Sequence, residues 1–188
     1  MKVDERLAQI EAEVQILKDK DEIWRLISRY ARAIDEEIDD ELTAIFAEDV
    51  AFETKPWSGG EQSGRDYVIK AFKSYQRRFG NRKRFIVNEL IDITGPHSAT
   101  AWSNWLVLHA NEGDSYAGWG SYDWECRRVA GEWLFSKMII TVDCMTTLEK
   151  GWGDAASLVA QFPERKARGQ NTLSLLAAAI PGPAPLSN

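Results

Sequence analysis

Residues 84–110 read RFIVNELIDITGPHSATAWSNWLVLHA, and their apolar positions recur every second residue on either side of Gly95-Pro96. A period of two marks strands, and a Gly-Pro step marks the turn between them. Two more stretches continue the pattern, so the predicted strands are Arg84–Ile93, Ser98–Ala110, Ser115–Val129 and Glu132–Asp143. Their connectors, Asn111-Glu112-Gly113-Asp114 and Val129-Ala130-Gly131, suit hairpins. The second strand is apolar on both faces: Trp102, Leu106 and Leu108 alternate with Ala101, Trp105 and Val107. Such a sheet needs cover on both sides. Helices can cover one; a pocket or a neighbouring subunit must cover the rest.

Before residue 84 the period is helical. Val3, Leu7, Ile10, Val14 and Leu17 follow steps of 4, 3, 4 and 3, a narrow stripe that needs a partner surface. Asp19, with Glu22 three places on, reads as the cap of a second helix whose inner face carries Ile23, Leu26, Ile27, Tyr30, Ala31 and Ile34. A third helix starts near Asp39, Val50 to Glu53 reads as a short strand, Pro56 to Gly60 as a loop, and Ser63 to Phe79 as the last strong helix. Helices followed by a meander give an α+β domain. The expected organisation is a helical lead over 1–18, the α+β domain over 19–150, and a C-terminal arm or tail over 151–188, with a short helix within 152–170.

The composition narrows the function. With 188 residues, 44% hydrophobic and 28% charged, the chain can bury the core of one domain. A net charge of −6 argues against a nucleic-acid or anionic-membrane partner. The basic run Arg77 to Arg84 reads as a solvated helix end and turn. No stretch reaches the roughly 20 apolar residues of a membrane helix. Cys126 and Cys144 lack metal-site spacing and read as small core residues of a reduced, cytoplasmic protein. Neither a phosphate-cradling loop, a nucleophile elbow nor a metal constellation is visible, so no cofactor and no metal are expected.

The chemistry is expected around Ile27-Ser28-Arg29-Tyr30-Ala31-Arg32-Ala33-Ile34-Asp35. Asp35 falls close to the inner stripe of its helix, where a carboxylate is costly unless paired or working. Tyr30 lies five residues earlier, about 140° past a full turn, so the two meet only at a cavity that wraps around the helix. A solvated Asp near a helix end is the competing reading.

The segment Arg29 to Asp35, followed by Leu42-Thr43-Ala44-Ile45-Phe46-Ala47-Glu48-Asp49-Val50, resembles the SnoaL-like family of the nuclear-transport-factor-2-like superfamily. Gly64 opening a helix, the strand around Asn88, and Arg127-Arg128-Val129-Ala130-Gly131-Glu132-Trp133 extend the resemblance over roughly residues 20–145. It implies a cone-shaped curved antiparallel sheet packed on N-terminal helices around an apolar pocket. It also implies dehydratase-like chemistry, removal of a small group from a hydrophobic ring compound by an Asp–His pair, often with a Tyr. Tyr30 and Asp35 stand at the matching Tyr and Asp positions; Arg84 stands where the family has His. Arg is always protonated and cannot be a general base, so Arg84 is expected to stabilise an oxyanion, clamp a substrate carboxylate, or bridge to Asp35.

The catalytic candidates are therefore Asp35, Tyr30 and Arg84, and the substrate-binding candidates Asn88, Trp102, Trp119, Asp123 and Lys137. His97 reads as a surface turn residue and His109 as a strand end at the rim. The expected function is a cofactor-independent lyase or isomerase acting on a hydrophobic cyclic small molecule. A non-catalytic binding or oligomerisation module is the alternative, and a hydrolase using an activated water a third. The expected partners are that small molecule and further copies of the chain, as homodimer or homotrimer.

Overall fold

The computed structural model describes residues 3–151; the helix expected within 152–170 and the arm beyond it lie outside the described residues. In chain order, α1 is Val3–Glu36, α2 Asp39–Ala44, β1 Phe46–Lys55, β2 Gln62–Ser63, α3 Arg65–Arg78, β3 Gly80–Gly95, β4 Ser98–Asn111, β5 Asp114–Val129 and β6 Glu132–Thr147. The strands form one open sheet in the order β2-β1-β6-β5-β4-β3. This is the expected α+β cone, with one correction: the sheet is mixed, because β1 lies parallel to β6.

The lead and the second helix are one helix. No Gly or Pro separates Leu17 from Asp19, so nothing stops propagation through that point. Asp19 is buried within the helix instead of capping it, and it pairs with Arg128 on β5 while Gln15 donates to it from one turn earlier. The second half of α1 buries Ile23, Leu26, Ile27, Tyr30 and Ile34 against the sheet. Each fully buried aliphatic there contributes about 1.5–3 kcal/mol. The first half lies off the domain, with Val3, Leu7, Ile10, Val14 and Leu17 all exposed.

The meander is built as the alternation predicts. Tight turns close β4–β5 at Glu112-Gly113 and β5–β6 at Ala130-Gly131, with φ positive at both residues of each pair, the backbone twist that two-residue hairpins require. Register shifts at Val87/Leu90, Trp119/Gly120 and Glu125/Cys126 bend the strands, and the concave side receives α1 and α3. Gly120 permits one close approach. A Cβ there would lie 1.9 Å from the Thr141 carbonyl oxygen and 3.0 Å from the Trp105 ring. Trp105 Nε1 uses that space to donate to the Ser121 and Thr141 carbonyls, each at 3.2 Å.

Candidate functional site

The concave face encloses a cavity of about 230 Å³ between α1, α3 and strands β1 and β3–β6. Its walls are mostly apolar. Phe52, Phe72, Val107, Ile140, Val142 and Met145 supply much of the surface, and Trp57, Tyr67 and Lys70 also line it.

Three polar side chains meet at the α1 side of this cavity. Tyr30, fully buried on α1, shares a hydrogen bond with the Tyr122 hydroxyl of β5 at 3.1 Å. Burial, and next the neighbouring Tyr122, holds the Tyr30 phenol well above its ordinary pKa, and burial raises Tyr122 too. Both stay protonated. One O–H of the pair is spent on the other, so a second remains to donate to a ligand. The rings sit edge to face at 5.7 Å.

Arg84 completes the group. It pairs with Val107 across β3–β4 and shares that residue's inward phase, so the residue is only 9% exposed. Its guanidinium carbon lies 5.5 Å from the Tyr30 ring centroid and 5.6 Å from that of Tyr75. Among the described residues, its buried Nε and Nη1 have no hydrogen-bond partner. The expected Arg84–Asp35 side-chain bridge is not made. Asp35 Oδ2 instead accepts the main-chain N–H of Arg84 at 2.7 Å, and Asp35 Oδ1 is buried without a partner. Asp35 is not among the cavity-lining residues; it fastens β3 to the end of α1 behind Arg84.

The basic run is less solvated than its composition suggests. The Arg82 side chain is 4% exposed and donates to the Gln76 and Phe79 carbonyls, with Glu37 as its carboxylate partner. His109 is also inside rather than at the rim. It stacks on Phe79 at 4.0 Å, its Nδ1 meets the Tyr75 hydroxyl at 3.0 Å, and its Nε2 is buried and unpartnered. Burial, with Arg84 and Arg82 nearby, pulls its pKa down to about 3, so the imidazole is neutral. Burial pushes the Cys126 thiol up to about 12, which leaves it inert.

The substrate-binding candidates are not gathered here. Trp102 and Asp123 face each other across β4–β5 and, with Lys137, line a separate groove formed with Leu90, Asp92 and Glu125. Lys137 is bridged to Glu61 at 2.7 Å. Trp119 lines neither cavity nor groove, and Asn88 is exposed at a bulge with φ 62°. The residues that sequence reading missed are Tyr122, Tyr75 and Trp57. Tyr122 carried a signal, since it shares strand phase with Trp124 and Cys126. His97 is exposed, as expected.

A curved sheet closed by helices over a small apolar chamber, with its few polar groups converging, defines a small-molecule-binding domain of the cone type. The chain belongs to the SnoaL-like domain family, whose model matches residues 15–139. Among solved structures it is similar to a provisionally named scytalone dehydratase of Novosphingobium aromaticivorans DSM 12444, with 23% identity over 69% of this chain and 87% of that one, at a TM-score of 0.63. It is similar to hexachlorocyclohexane dehydrochlorinase LinA-type3 of Novosphingobium barchaimii LL02, with 18% identity over 72% and 94%, at 0.66. A third is the Kfla4162 protein of Kribbella flavida, with 20% identity over 69% and 94%, at 0.64. At such identities the likeness is one of fold. No curated protein sequence matches the chain. Among the described residues, no helix is long and apolar enough to cross a membrane, and no three His, Cys, Asp or Glu side chains are grouped to hold a metal.

Proposed function

We propose that the protein is a cofactor-independent lyase or isomerase acting on a hydrophobic cyclic small molecule held in the cavity. The observation that carries this reading is the buried Arg84 guanidinium, with Nε and Nη1 unpartnered, beside the Tyr30–Tyr122 hydroxyl pair in an otherwise apolar chamber. Cationic and hydroxyl donors fixed in a site of low dielectric stabilise an oxyanion that develops during enolisation or elimination, and they need no reorganisation. Asp35 acts here from behind Arg84: its Oδ2 fixes the β3 main chain, and its charge is felt at Arg84, Tyr75 and Tyr122. The likeness to a dehydratase and a dehydrochlorinase favours the same reaction class.

The test is a panel of cyclic hydroxy-ketones and cyclic halides, followed by mass spectrometry for loss of water or hydrogen halide. With the best substrate, Arg84→Met and Tyr30→Phe should each cut kcat/KM by roughly 100-fold. Turnover untouched by either change contradicts the assignment. A non-catalytic binding module is the second reading, favoured by the lack of Asp, Glu or His among the cavity-lining residues. Tight binding of the panel with no conversion would establish it.

We propose also that the exposed stripe of α1 is covered by a second copy of the chain, in a parallel coiled coil. With Leu7 and Val14 at a positions and Val3, Ile10 and Leu17 at d, the flanking positions place Arg6 opposite Glu11 of a second copy, and Glu13 opposite Lys18. Both pairs are opposite in charge, which favours the parallel register.

A further inference from the structure

Among the described residues no carboxylate bridges the buried Arg84 guanidinium, and we infer that the substrate supplies one: the chamber takes a one- or two-ring compound bearing a carboxylate. The inference rests on the cavity being the ligand site, and it adds the ligand's charge and size.

Three observations converge. First, Arg84 is nine-tenths buried, and among the described residues its Nε and Nη1 find no acceptor. Second, among the described residues the one carboxylate in contact with Arg84 spends Oδ2 on the main chain, and no Asp or Glu lines the cavity. Third, what does face the cation is aromatic, the rings of Tyr30 and Tyr75 at 5.5 and 5.6 Å. Ring faces attract a cation but do not replace a hydrogen-bonded anion. Arg84 lines the chamber, and a guanidinium with unpartnered N–H groups hydrogen-bonds a carboxylate strongly. The free hydroxyl of the Tyr30–Tyr122 pair then remains for the oxyanion that develops on the ring.

The volume limits the rest of the ligand. An apolar cavity of roughly 150 Å³ holds one benzene, so about 230 Å³ suits a bicyclic ring system and is too small for a four-ring skeleton. Trp57, Trp105 and Phe72 line the chamber as flat partners for such rings.

The probes are 2-naphthoate and its neutral isostere 2-naphthamide, titrated calorimetrically into the full chain and into Arg84→Met. The carboxylate should bind the wild type at least ten-fold more tightly than the amide. In Arg84→Met that preference should vanish while the amide's affinity is kept. Arg84→Met should also raise the Tm of the unliganded protein, by about 5 °C, since an apolar side chain of similar length removes an uncompensated buried charge. A residue held only for structure would lower it. Arg84→Gln serves as the second variant, and the wild-type comparison needs no variant at all. Equal binding of acid and amide overturns the anion assignment and leaves the cavity as a site for neutral rings. Binding of neither compound overturns the anion assignment and the ligand site together.

Discussion

The carboxylate of Asp35 is bound to the main-chain N–H of Arg84 at 2.7 Å, while the Arg84 guanidinium turns away toward the rings of Tyr30 and Tyr75. One acidic side chain therefore sets where a cation emerges from β3 without neutralising it. The site's electrostatics follow from that division, because a direct bridge would cancel the charge the cavity presents.

Removing the Asp35 acceptor leaves a buried main-chain N–H unpaired. Asp35→Ala should cost about 1–3 kcal/mol of stability, read as a lower urea midpoint at unchanged m-value. Asp35→Asn keeps an oxygen for that N–H, so it should cost less than Asp35→Ala. It should nonetheless depress turnover, since an amide removes the negative charge felt at Arg84.

The Tyr30–Tyr122 pair should behave as a unit. Either single Phe substitution strands the other hydroxyl in an apolar wall, at about 1–3 kcal/mol. The double variant should lose less than the sum of the two, with a coupling of about 0.5–3 kcal/mol in a double-mutant cycle. Strict additivity would mean the 3.1 Å contact has no energetic content.

His109 gives the fold an acid-sensitive limb. Its pKa in the folded state is about 3, depressed by burial from its ordinary 6.5. The unfolded chain thus takes up a proton in the interval between them and the folded chain does not. The stability His109 contributes is fully present above about pH 6.5 and is lost as pH falls toward 3. The loss approaches about 1.4 kcal/mol per pH unit in the lower part of that window. Thermal melts from pH 7 to pH 4 should show a shallower fall for His109→Asn, which keeps an acceptor near Nδ1, than for the wild type.

The architecture was legible where periodicity is strong. Strands β3–β6 fall within a few residues of the predicted spans, and the hairpin connectors lie where Gly113 and Gly131 mark them. The continuous α1 was hidden because Asp19 and Glu22 imitate a cap. Their real role is visible only once Arg128, more than a hundred residues later, is brought beside Asp19. The candidate site was half legible. Tyr30 and Arg84 reach the cavity, whereas Trp102, Trp119 and Asp123 lie one residue out of phase with it. A strand's period is two, so an offset of one puts a side chain on the other face of the sheet. Had phase been set by Trp105 and Val107, then Tyr122 would have stood out as their neighbour on the next strand.

Cutting the bridge between α1 and β5 should be expensive. Asp19 and Arg128 are 6% and 19% exposed at the side chain, so Arg128→Ala strands a buried carboxylate, at about 3–5 kcal/mol. For a domain of this size that lowers the Tm by roughly 6–20 °C, measurable by calorimetry.

Self-association through α1 is open to a direct check. Leu7→Asp with Ile10→Asp should convert the species seen by analytical ultracentrifugation to monomer while leaving the Tm of the domain almost unchanged. Persistence of the oligomer would assign its interface elsewhere, for instance to the exposed Phe85, Val87 and Leu106 of β3 and β4.

The ligand chamber itself is best tested through the tryptophans. Trp105 and Trp57 line the cavity and Trp102 lines the separate groove, so their indole N–H signals in a ¹H–¹⁵N spectrum, assigned by single Trp→Phe changes, report the two places independently. Titration with 2-naphthoate should shift the signals of Trp105 and Trp57 and leave Trp102 where it was. Movement of Trp102 alone, with Trp105 and Trp57 unchanged, would contradict the account.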